Sequence, residues 1–291
     1  MSDVLMTVLQ DMRDLPALIN AGADTFLIAL KGAGTGALPK MSISEATMAA
    51  TMAAGFGRKI SVLADRMFHE GDLAEEDAIA ATIAKMDVMY VLFQDPGFYL
   101  LAKKYGFAGK LIYKPDTLMT SVPEVLFWKE RGVRAAVSPL VTLAETQAMV
   151  ETDDVMVTIH GHTLMSRSAR PLLSAWHDTF GVECAVKDVK NITLREEKRE
   201  GHMPAYEDED GVYIYTDDVL LSMKELPELM GHDTVFFADG VFLDRMEYME
   251  AVRGYRAVLN GKDGGDVEQA YCEKYADRPF GKGYYDAKTV K

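Results

Sequence analysis

Cysteine and long apolar runs are scarce in this sequence. Cys184 and Cys272 are the only cysteines among 291 residues, and neither belongs to a CxxC or Cys/His spacing. We therefore expect no disulfide framework and no bound metal. The N-terminus lacks a charged and apolar leader, and no later stretch has about 18 consecutive apolar residues. These absences predict a cytoplasmic protein that does not interact with membranes.

Positive charge is also scarce. The chain has 31 Lys and Arg residues against 45 Asp and Glu residues, which gives a formal net charge of -14 at pH 7. Proteins that bind nucleic acids usually do so by neutralising phosphates with Lys and Arg. The charge balance therefore argues against DNA binding, and any contact with RNA requires a local basic patch or a partner.

The sequence is rich in apolar residues, which make up 48% of it. That proportion in 291 residues supports one large core, so we predict a single domain over residues 1–291. Short apolar segments alternate with longer amphipathic ones, which is typical of βα units around a parallel sheet. Because the strands are apolar on both faces, we predict a closed (β/α)8 TIM-like barrel. The predicted strands are Val4–Val8, Thr25–Leu30, Lys59–Leu63, Val88–Leu92, Lys110–Ile112, Ala135–Val137, Val155–Ile159 and Val235–Ala238.

Amphipathic segments between these strands predict the outer helices. Thr142 is followed three residues later by Glu145, which forms a capping-box pattern. A glycine at position 132 suits the end of a helix. The predicted helices include Ser44–Ala54, Glu75–Lys85, Pro123–Arg131 and Thr142–Val150.

The alternation of strands and helices breaks between His160 and Met230. We predict a rim insertion over residues 160–230, directly after the seventh strand. Within it, Asn191–Arg195 and Val212–Thr216 alternate like strands and are separated by the acidic turn Glu207–Gly211. A small antiparallel subdomain is therefore expected, and insertions at the carboxyl ends of barrel strands usually contribute to the active site.

The segment VTIHGHTLMSRSARPLLSAW, at the end of the seventh strand, is the main candidate site. Its candidate catalytic residues are His160, His162, Ser168 and Arg170. Histidine titrates near neutral pH and arginine binds carboxylate or phosphate through paired donors, so acid-base chemistry on an anionic substrate is possible. The alternative is a loop held by hydrogen bonds and surface ion pairs. The candidate substrate-binding residues are Arg167, Asp65, Asp95, Lys114 and Asp239.

Two other motifs favour structural roles. Asp95-Pro96-Gly97 suits the start of a helix, because aspartate caps helices and proline is favoured at the first helical position. The glycine-rich segment Lys31–Lys40 does not have the spacing of known phosphate-binding loops. We predict a flexible rim loop there.

Several motifs together carry a resemblance to a known family. They are His160-Gly161, the downstream segment RPLLS, the early segment GADTFLIAL, the segment QDPG, the long stretch from ITLREEKR to LPEL, and the closing segments DGVF and YRAVLNG. With these motifs, which span nearly the whole chain, the sequence resembles the peptidase U32 family, which is also called collagenase-like.

The resemblance also shows departures from the family pattern. The two family cysteines fall on Leu164 and Pro171, and only Cys184 matches a further cluster ligand. The family's Arg-Glu pair after the sixth strand is replaced by Pro139 and Leu140. A four-iron cluster ordinarily needs four cysteines, so we predict no iron-sulfur cofactor.

The segment RSARPLLSAWHDTFG most resembles short U32 paralogues of Gram-positive bacteria that occur beside a longer, cysteine-bearing member. That longer relative is linked to 5-hydroxylation of the tRNA wobble uridine. The resemblance therefore implies a partner or accessory subunit that lacks a cluster and contacts tRNA through the longer protein.

Two alternatives stay open, so the sequence leaves the enzyme status undecided. One is a collagenase-like peptidase, and the other is a barrel enzyme that acts on a small anionic metabolite. The sequence has no G-x-S-x-G, Cys-His or HExxH signature of a peptidase. A nucleophile pair would require one of Ser166, Ser168 and Ser174 to contact His160 or His162.

Overall fold

The structure, a computed structural model, describes residues 3–115, 118–181, 185–197 and 201–286. Its centre is a barrel of parallel strands, and each predicted strand is found within about two residues of its expected start. The barrel strands are β1 (Val4–Val8), β2 (Thr25–Leu30), β3 (Lys59–Ala64), β4 (Val88–Phe93), β5 (Leu111–Tyr113), β6 (Arg134–Ala136), β7 (Val155–Ser168) and β8 (Val235–Ala238).

The barrel closes through β8. This strand pairs in parallel with β1, where Val4 lies opposite Val235. It also pairs in parallel with β7, where Met156 lies opposite Val235. The remaining neighbours pair in chain order from β1 to β7. The predicted (β/α)8 TIM-like barrel is therefore confirmed.

Helices separate most of the barrel strands. Ser42 and Thr142 form capping boxes at the starts of two of them, as the pattern at Thr142 predicts. Within the described residues, no helix is both long and apolar enough to cross a membrane. The helices are α1 (Leu15–Ala21), α2 (Ile43–Gly55), α3 (Leu73–Ile83), α4 (Pro96–Lys104), α5 (Val122–Lys129), α6 (Leu143–Val150), α7 (Leu172–Phe180), α8 (Arg245–Leu259) and α9 (Gly264–Lys274), with short 3-10 turns at Met12–Asp14, Glu70–Asp72, Ala108–Lys110 and Leu226–Leu229.

The core has two layers because the barrel strands bury both faces. On β1, Leu5 packs against the surrounding helices, whereas Met6 and Val8 point into the barrel. Successive side chains on a strand point to opposite faces, so both sets must be apolar. Inside the barrel, these side chains form a packed floor, and the open space lies above it at the carboxyl ends of the strands.

The insertion is a sheet that continues from the barrel. Strand β7 extends to Ser168 and pairs antiparallel with the strand Gly211–Leu221. That strand pairs with Met203–Asp208, which pairs in turn with Ile192–Leu194. The sequence predicts only two strands here and places Glu207 in the turn, whereas the structure places Glu207 and Asp208 in a third strand. The short strands Lys40–Met41 and Phe280–Gly281 pair with β2 and Gly211–Leu221, respectively.

Candidate functional site

A cavity of about 170 Å³ opens at the carboxyl ends of the barrel strands. We call it the inner cavity. Its floor is apolar and includes Leu27, Leu63, Met156 and Phe237. Its walls carry polar side chains from several strand ends and from the insertion sheet. This arrangement is the usual location of the active site in barrels of this type.

The glycine-rich segment forms one wall of the inner cavity. The backbone N–H and the hydroxyl of Thr35 both donate to Asp65 Oδ1, at 2.8 and 3.0 Å. The segment is buried from Ala33 to Ala37. The sequence predicts a flexible rim loop here, and the structure instead shows a wall that is held in place by Asp65 from β3.

Asp239, which follows β8, contributes a carboxyl group to the inner cavity. Its Oδ1 accepts a hydrogen bond from the Val241 N–H at 2.8 Å. Burial raises the pKa of Asp239 to about 6, although Lys114 and Lys190 act in the opposite direction. Lys114 follows β5 and lines the same cavity. The site therefore holds a carboxyl group that can gain or lose a proton near neutral pH.

The two histidines of β7 lie in different environments. His160 is fully buried outside the barrel, where its ring packs edge-on against Tyr255 of α8 and Tyr271 of α9. Burial lowers the pKa of His160 to about 3, so its ring is neutral at physiological pH. His160 therefore contributes to the packing between β7 and the helices and does not line the inner cavity.

His162 does line the inner cavity. Its Nδ1 lies 2.7 Å from the carbonyl oxygen of Thr216. A carbonyl oxygen only accepts hydrogen bonds, so Nδ1 carries the proton and Nε2 is left as an acceptor. Burial lowers the pKa of His162, which keeps the ring neutral. It is thus suited to accept a hydrogen bond or a proton.

Gly161, between these histidines, has a specific steric role. Its φ of 115° lies in the left-handed region, and a Cβ atom there would lie 2.6 Å from the carbonyl oxygen of Asp239. The Asp239 N–H also donates to the His160 carbonyl at 3.0 Å. The His-Gly motif therefore marks the point where β7 passes directly against the segment that carries Asp239.

The remaining candidate residues lie away from the inner cavity. The Arg167 guanidinium lies 5.3 Å from the centroid of the Tyr213 ring. Ser168 accepts a hydrogen bond from the backbone N–H of the exposed Arg170 at 3.2 Å. Asp95 caps α4 and accepts from the Gly97 N–H at 2.7 Å. The structure thus brings together Asp65, Lys114, His162 and Asp239, and it does not bring His160, Arg167, Ser168, Arg170 or Asp95 to the cavity.

Among the described residues, the hydrogen bonds of Ser168 and Ser174 do not involve His160 or His162. The Ser174 hydroxyl donates to Glu207. His162 uses Nδ1 for the Thr216 carbonyl, as described above, and Ser168 contacts a backbone N–H. The geometry therefore gives no support to a Ser-His pair.

A second, more open cavity of about 570 Å³ adjoins the first and shares His162 with it. We call it the outer cavity. It is lined by Lys190, His202 and Arg278, together with Asp217. Arg278 already forms a paired interaction with Glu247 of α8, with one bond of 2.8 Å. The residues of the outer cavity come from segments that are distant in the chain, so no local sequence pattern indicates it.

Phe242 lies between the two cavities. It lines the outer cavity and packs edge-on against Tyr215 of the inner cavity, with ring centroids 5.0 Å apart. Its other ring neighbour is His162, at 6.2 Å. The φ of Phe242 is 68°, which is unusual for a bulky residue and indicates local strain. Such strain is often found at ligand-binding sites.

Tyr213 presents an unusual polar group to the inner cavity. Its side chain is only 2% exposed, and its hydroxyl has no hydrogen-bond partner among the described residues. Burial raises the pKa of Tyr213 to about 12, so the hydroxyl keeps its proton. Buried hydroxyls are nearly always bonded, so this group has the capacity to bind a ligand.

Comparison with known proteins places this geometry in a family. The model of peptidase family U32 matches residues 10–291. The chain belongs to peptidase family U32. It is 28% identical over 258 residues to tRNA hydroxylation protein P2 of Bacillus subtilis, covering 85% of this chain and 82% of that relative. The solved structure of the U32 peptidase Mk0906 superposes with a TM-score of 0.52 at 15% identity, covering 82% of this chain and 93% of the other, which supports the fold alone.

The cysteine cluster implied by the U32 resemblance does not fit this chain. Leu164 lines the inner cavity and Pro171 precedes α7, so neither position offers a ligand. Cys272 lies on α9 and Cys184 lies outside the described residues. Among the described residues, no three His, Cys, Asp or Glu side chains are grouped to hold a metal.

Proposed function

We propose that this U32 protein takes part in tRNA hydroxylation as a cluster-free partner of a longer, cysteine-bearing family member. The observation that carries the proposal is its similarity to tRNA hydroxylation protein P2 over 85% of the chain. This similarity extends over most of both chains. The proposal assigns the same process to this chain.

The number of cysteines supports the partner role. The whole sequence contains two, whereas a four-iron cluster is ordinarily held by four. Hydroxylation chemistry that depends on such a cluster therefore requires a second chain. This chain contributes binding and orientation in the proposed assembly.

Helix α7 offers a surface for that second chain. Leu172, Trp176 and Phe180 are 47%, 55% and 66% exposed. Their spacing of four residues places them on one face of the helix, and exposed apolar patches of this kind usually mark protein interfaces. The net charge of -14 disfavours a second copy of this chain as the occupant. We assign this face to the longer U32 protein.

Helix α7 is fixed in position by Glu207. The buried carboxylate of Glu207 accepts hydrogen bonds from the Leu173 N–H at 2.8 Å and the Ser174 N–H at 3.2 Å. An acceptor with negative charge at a helix N-terminus is favourable, because the first N–H groups have no partner within the helix. A helix anchored in this way presents its apolar face with little loss of entropy on binding.

The two alternative functions receive less support. A collagenase-like peptidase needs an activated nucleophile, and the serine and histidine contacts described above do not provide one. A barrel enzyme for a small anionic metabolite is favoured by one observation, which is the position of Lys114 in the inner cavity. Asp65 and Asp239 line the same cavity and oppose an anion there.

The decisive experiment deletes the gene in its native host and measures 5-hydroxyuridine-derived nucleosides in tRNA by mass spectrometry. We expect the deletion to lower them and the wild-type gene to restore them. If the deletion leaves them unchanged, the proposed function is wrong. Accumulation of uncleaved collagen-like peptides without any change in tRNA would favour the peptidase.

The partner surface is tested by the double variant Trp176→Ser/Phe180→Ser in the same strain. Loss of two interface aromatics is expected to weaken partner binding by roughly 30-fold or more, measured by co-purification of the longer U32 protein. The matched control is Met48→Ser/Phe56→Ser at α2, whose side chains are 53% and 55% exposed. Equal recovery of the partner with both double variants would exclude α7 as the interface.

A further inference from the structure

We propose that the inner and outer cavities form one nucleotide-binding site, in which a pyrimidine base enters the inner cavity and its phosphate lies in the outer cavity. This inference rests on the proposed function and assigns a ligand to this chain itself. It makes the chain a direct contributor to RNA binding, in addition to its role as a partner.

The connection between the cavities is the first support. Both are lined by His162, and Phe242 of the outer cavity contacts Tyr215 of the inner one. A ligand that occupies both cavities therefore lies beside His162 and Phe242. A nucleotide has the required form, because its flat base and its charged phosphate are separated by a sugar.

The inner cavity matches a single base in size and polarity. Its volume of about 170 Å³ is smaller than the pockets of about 300–1,000 Å³ that hold drug-sized ligands. The floor is apolar, whereas the walls carry the acceptors Asp65 and Asp239 and the donors Lys114 and Tyr213. The edge of uracil alternates acceptors with a donor, so this lining can complement it. Enzymes that act on nucleic-acid bases bind a flipped base in pockets of this kind.

The Tyr213 hydroxyl supports a ligand in the inner cavity independently. It is buried and has no hydrogen-bond partner among the described residues. Leaving a buried hydroxyl unbonded costs free energy that a ligand acceptor can recover. The Thr35 hydroxyl nearby donates to Asp65 at 3.0 Å.

Charge favours the outer cavity for the phosphate. The inner cavity has two carboxylates against Lys114, which opposes an anion there. The outer cavity has Lys190, His202 and Arg278 against Asp217. Arg278 is paired with Glu247, so Lys190 and His202 are the groups that remain for a phosphate. Lys190 balances Asp217 there, so the outer cavity opposes an anion less than the inner cavity does.

Phe242 is suited to stack on the base. Its ring is partly exposed at the junction of the cavities, and its backbone has the strained φ of 68°. The segment that carries it also carries Asp239 and is held by the Leu243 N–H, which donates to the Gly240 carbonyl at 3.1 Å. Stacking of bases on aromatic rings is the general means by which proteins hold single-stranded RNA.

The test measures binding of uridine 5′-monophosphate to the purified full-length protein by calorimetry, with uridine and ribose 5-phosphate as partial ligands. We expect the nucleotide to bind more tightly than either part. Phe242→Leu should weaken binding of the nucleotide and of uridine by about 5- to 100-fold and spare ribose 5-phosphate.

A variant of Lys190 tests the contact with the phosphate group of the ligand. Lys190→Gln should weaken binding of the nucleotide and of ribose 5-phosphate by roughly tenfold and leave binding of uridine unchanged. The matched control is Lys187→Gln, an exposed lysine of the same insertion that lines neither cavity. If both lysine variants behave alike, the phosphate assignment is overturned.

Tyr213→Phe gives the sharpest test because it separates binding from folding. It removes a hydroxyl that has no partner among the described residues, so the thermal midpoint should stay the same or rise. Binding of uridine should nevertheless weaken. A variant that binds uridine as well as the wild type would overturn the base assignment.

The outcomes separate this inference from the proposed function. If the protein does not bind the nucleotide but the deletion strain loses tRNA hydroxylation, the nucleotide site is wrong and the proposed function is supported. If the variants change nucleotide binding as described but tRNA hydroxylation is unchanged in the deletion strain, the nucleotide site is supported and the proposed function is wrong.

Discussion

The barrel body and the insertion sheet are held together by different forces. In the barrel, strands such as β2 bury apolar side chains on both faces. In the insertion, polar contacts make the decisive connections, including Glu207 with α7 and the Lys40 ammonium with Asp208 at 2.8 Å. The candidate site lies where the two regions meet. Stability thus comes mainly from one region, and the other contributes much of the site's chemistry.

The two tryptophans of the sequence report on these regions separately. Trp128 packs in the barrel body, stacked on Tyr113 with ring centroids 4.1 Å apart. Trp176 lies on the exposed face of α7. Fluorescence of single-tryptophan variants can therefore follow the two regions independently.

The largest expected effect is a loss of stability when a core side chain of the barrel body is truncated. Phe236→Ala truncates a fully buried side chain on the closing strand β8. We expect it to lower the free energy of unfolding by about 3–5 kcal/mol, because it removes apolar contacts and leaves a cavity. Urea unfolding followed by Trp128 fluorescence in a Trp176→Phe background measures this change. The control Phe180→Ala, on exposed α7, should change stability by no more than about 0.5 kcal/mol.

An effect of intermediate size is expected in the pH dependence of stability, because His160 is buried. Burial is the main cause of its low folded-state pKa of about 3, with smaller contributions from His162 and Arg278. The unfolded chain, with a histidine pKa of about 6.5, binds more protons below that pH. Stability therefore falls as the pH drops from about 6.5 toward 3, and the loss at pH 5 is about 2 kcal/mol.

The measurement compares urea unfolding at pH 7 and pH 5 for the wild type and His160→Gln. Because glutamine does not titrate, the variant should lose less stability between these pH values. His202→Gln, on the exposed insertion, should behave as the wild type does. A wild type and a His160→Gln variant with the same pH dependence would contradict the assignment.

The smallest effect is confined to the insertion. Glu207→Gln keeps the size of the side chain and removes its negative charge from the N-terminus of α7. We expect amide protons of α7 to exchange roughly fivefold faster, since a charge at a helix end contributes about 1 kcal/mol. Hydrogen exchange measured by mass spectrometry should show no change in β1–β6. Equal acceleration in both regions would mean that the insertion and the barrel unfold together.

The barrel could be predicted from sequence because each strand is buried on two faces. Strand β2 was expected at Thr25–Leu30 and is found with the same bounds. The strand Met203–Asp208 could not be predicted in this way. It contains Pro204 and two acidic residues, which locally favour a turn, and its strand conformation depends on pairing with Gly211–Leu221.

The site could be predicted only in part. Asp65, Lys114 and Asp239 follow strand ends, and the carboxyl ends of barrel strands converge on one mouth. His160 and His162 should share a face by strict alternation, but the strand is irregular on both sides of His160. The register against β8 shifts between Thr158 and His160, and Gly161 adopts a left-handed φ. Neither local irregularity can be read from composition or periodicity.

Closure of the barrel by β8 also has a consequence for synthesis on the ribosome. The strands β1 to β7 emerge first, and their sheet keeps two open edges until Val235–Ala238 has been made. The whole insertion is translated during that interval, at about 5–20 residues per second. The apolar face of α7 thus leaves the ribosome before the barrel is complete, so a co-translational encounter with a partner could precede closure of the fold that presents it.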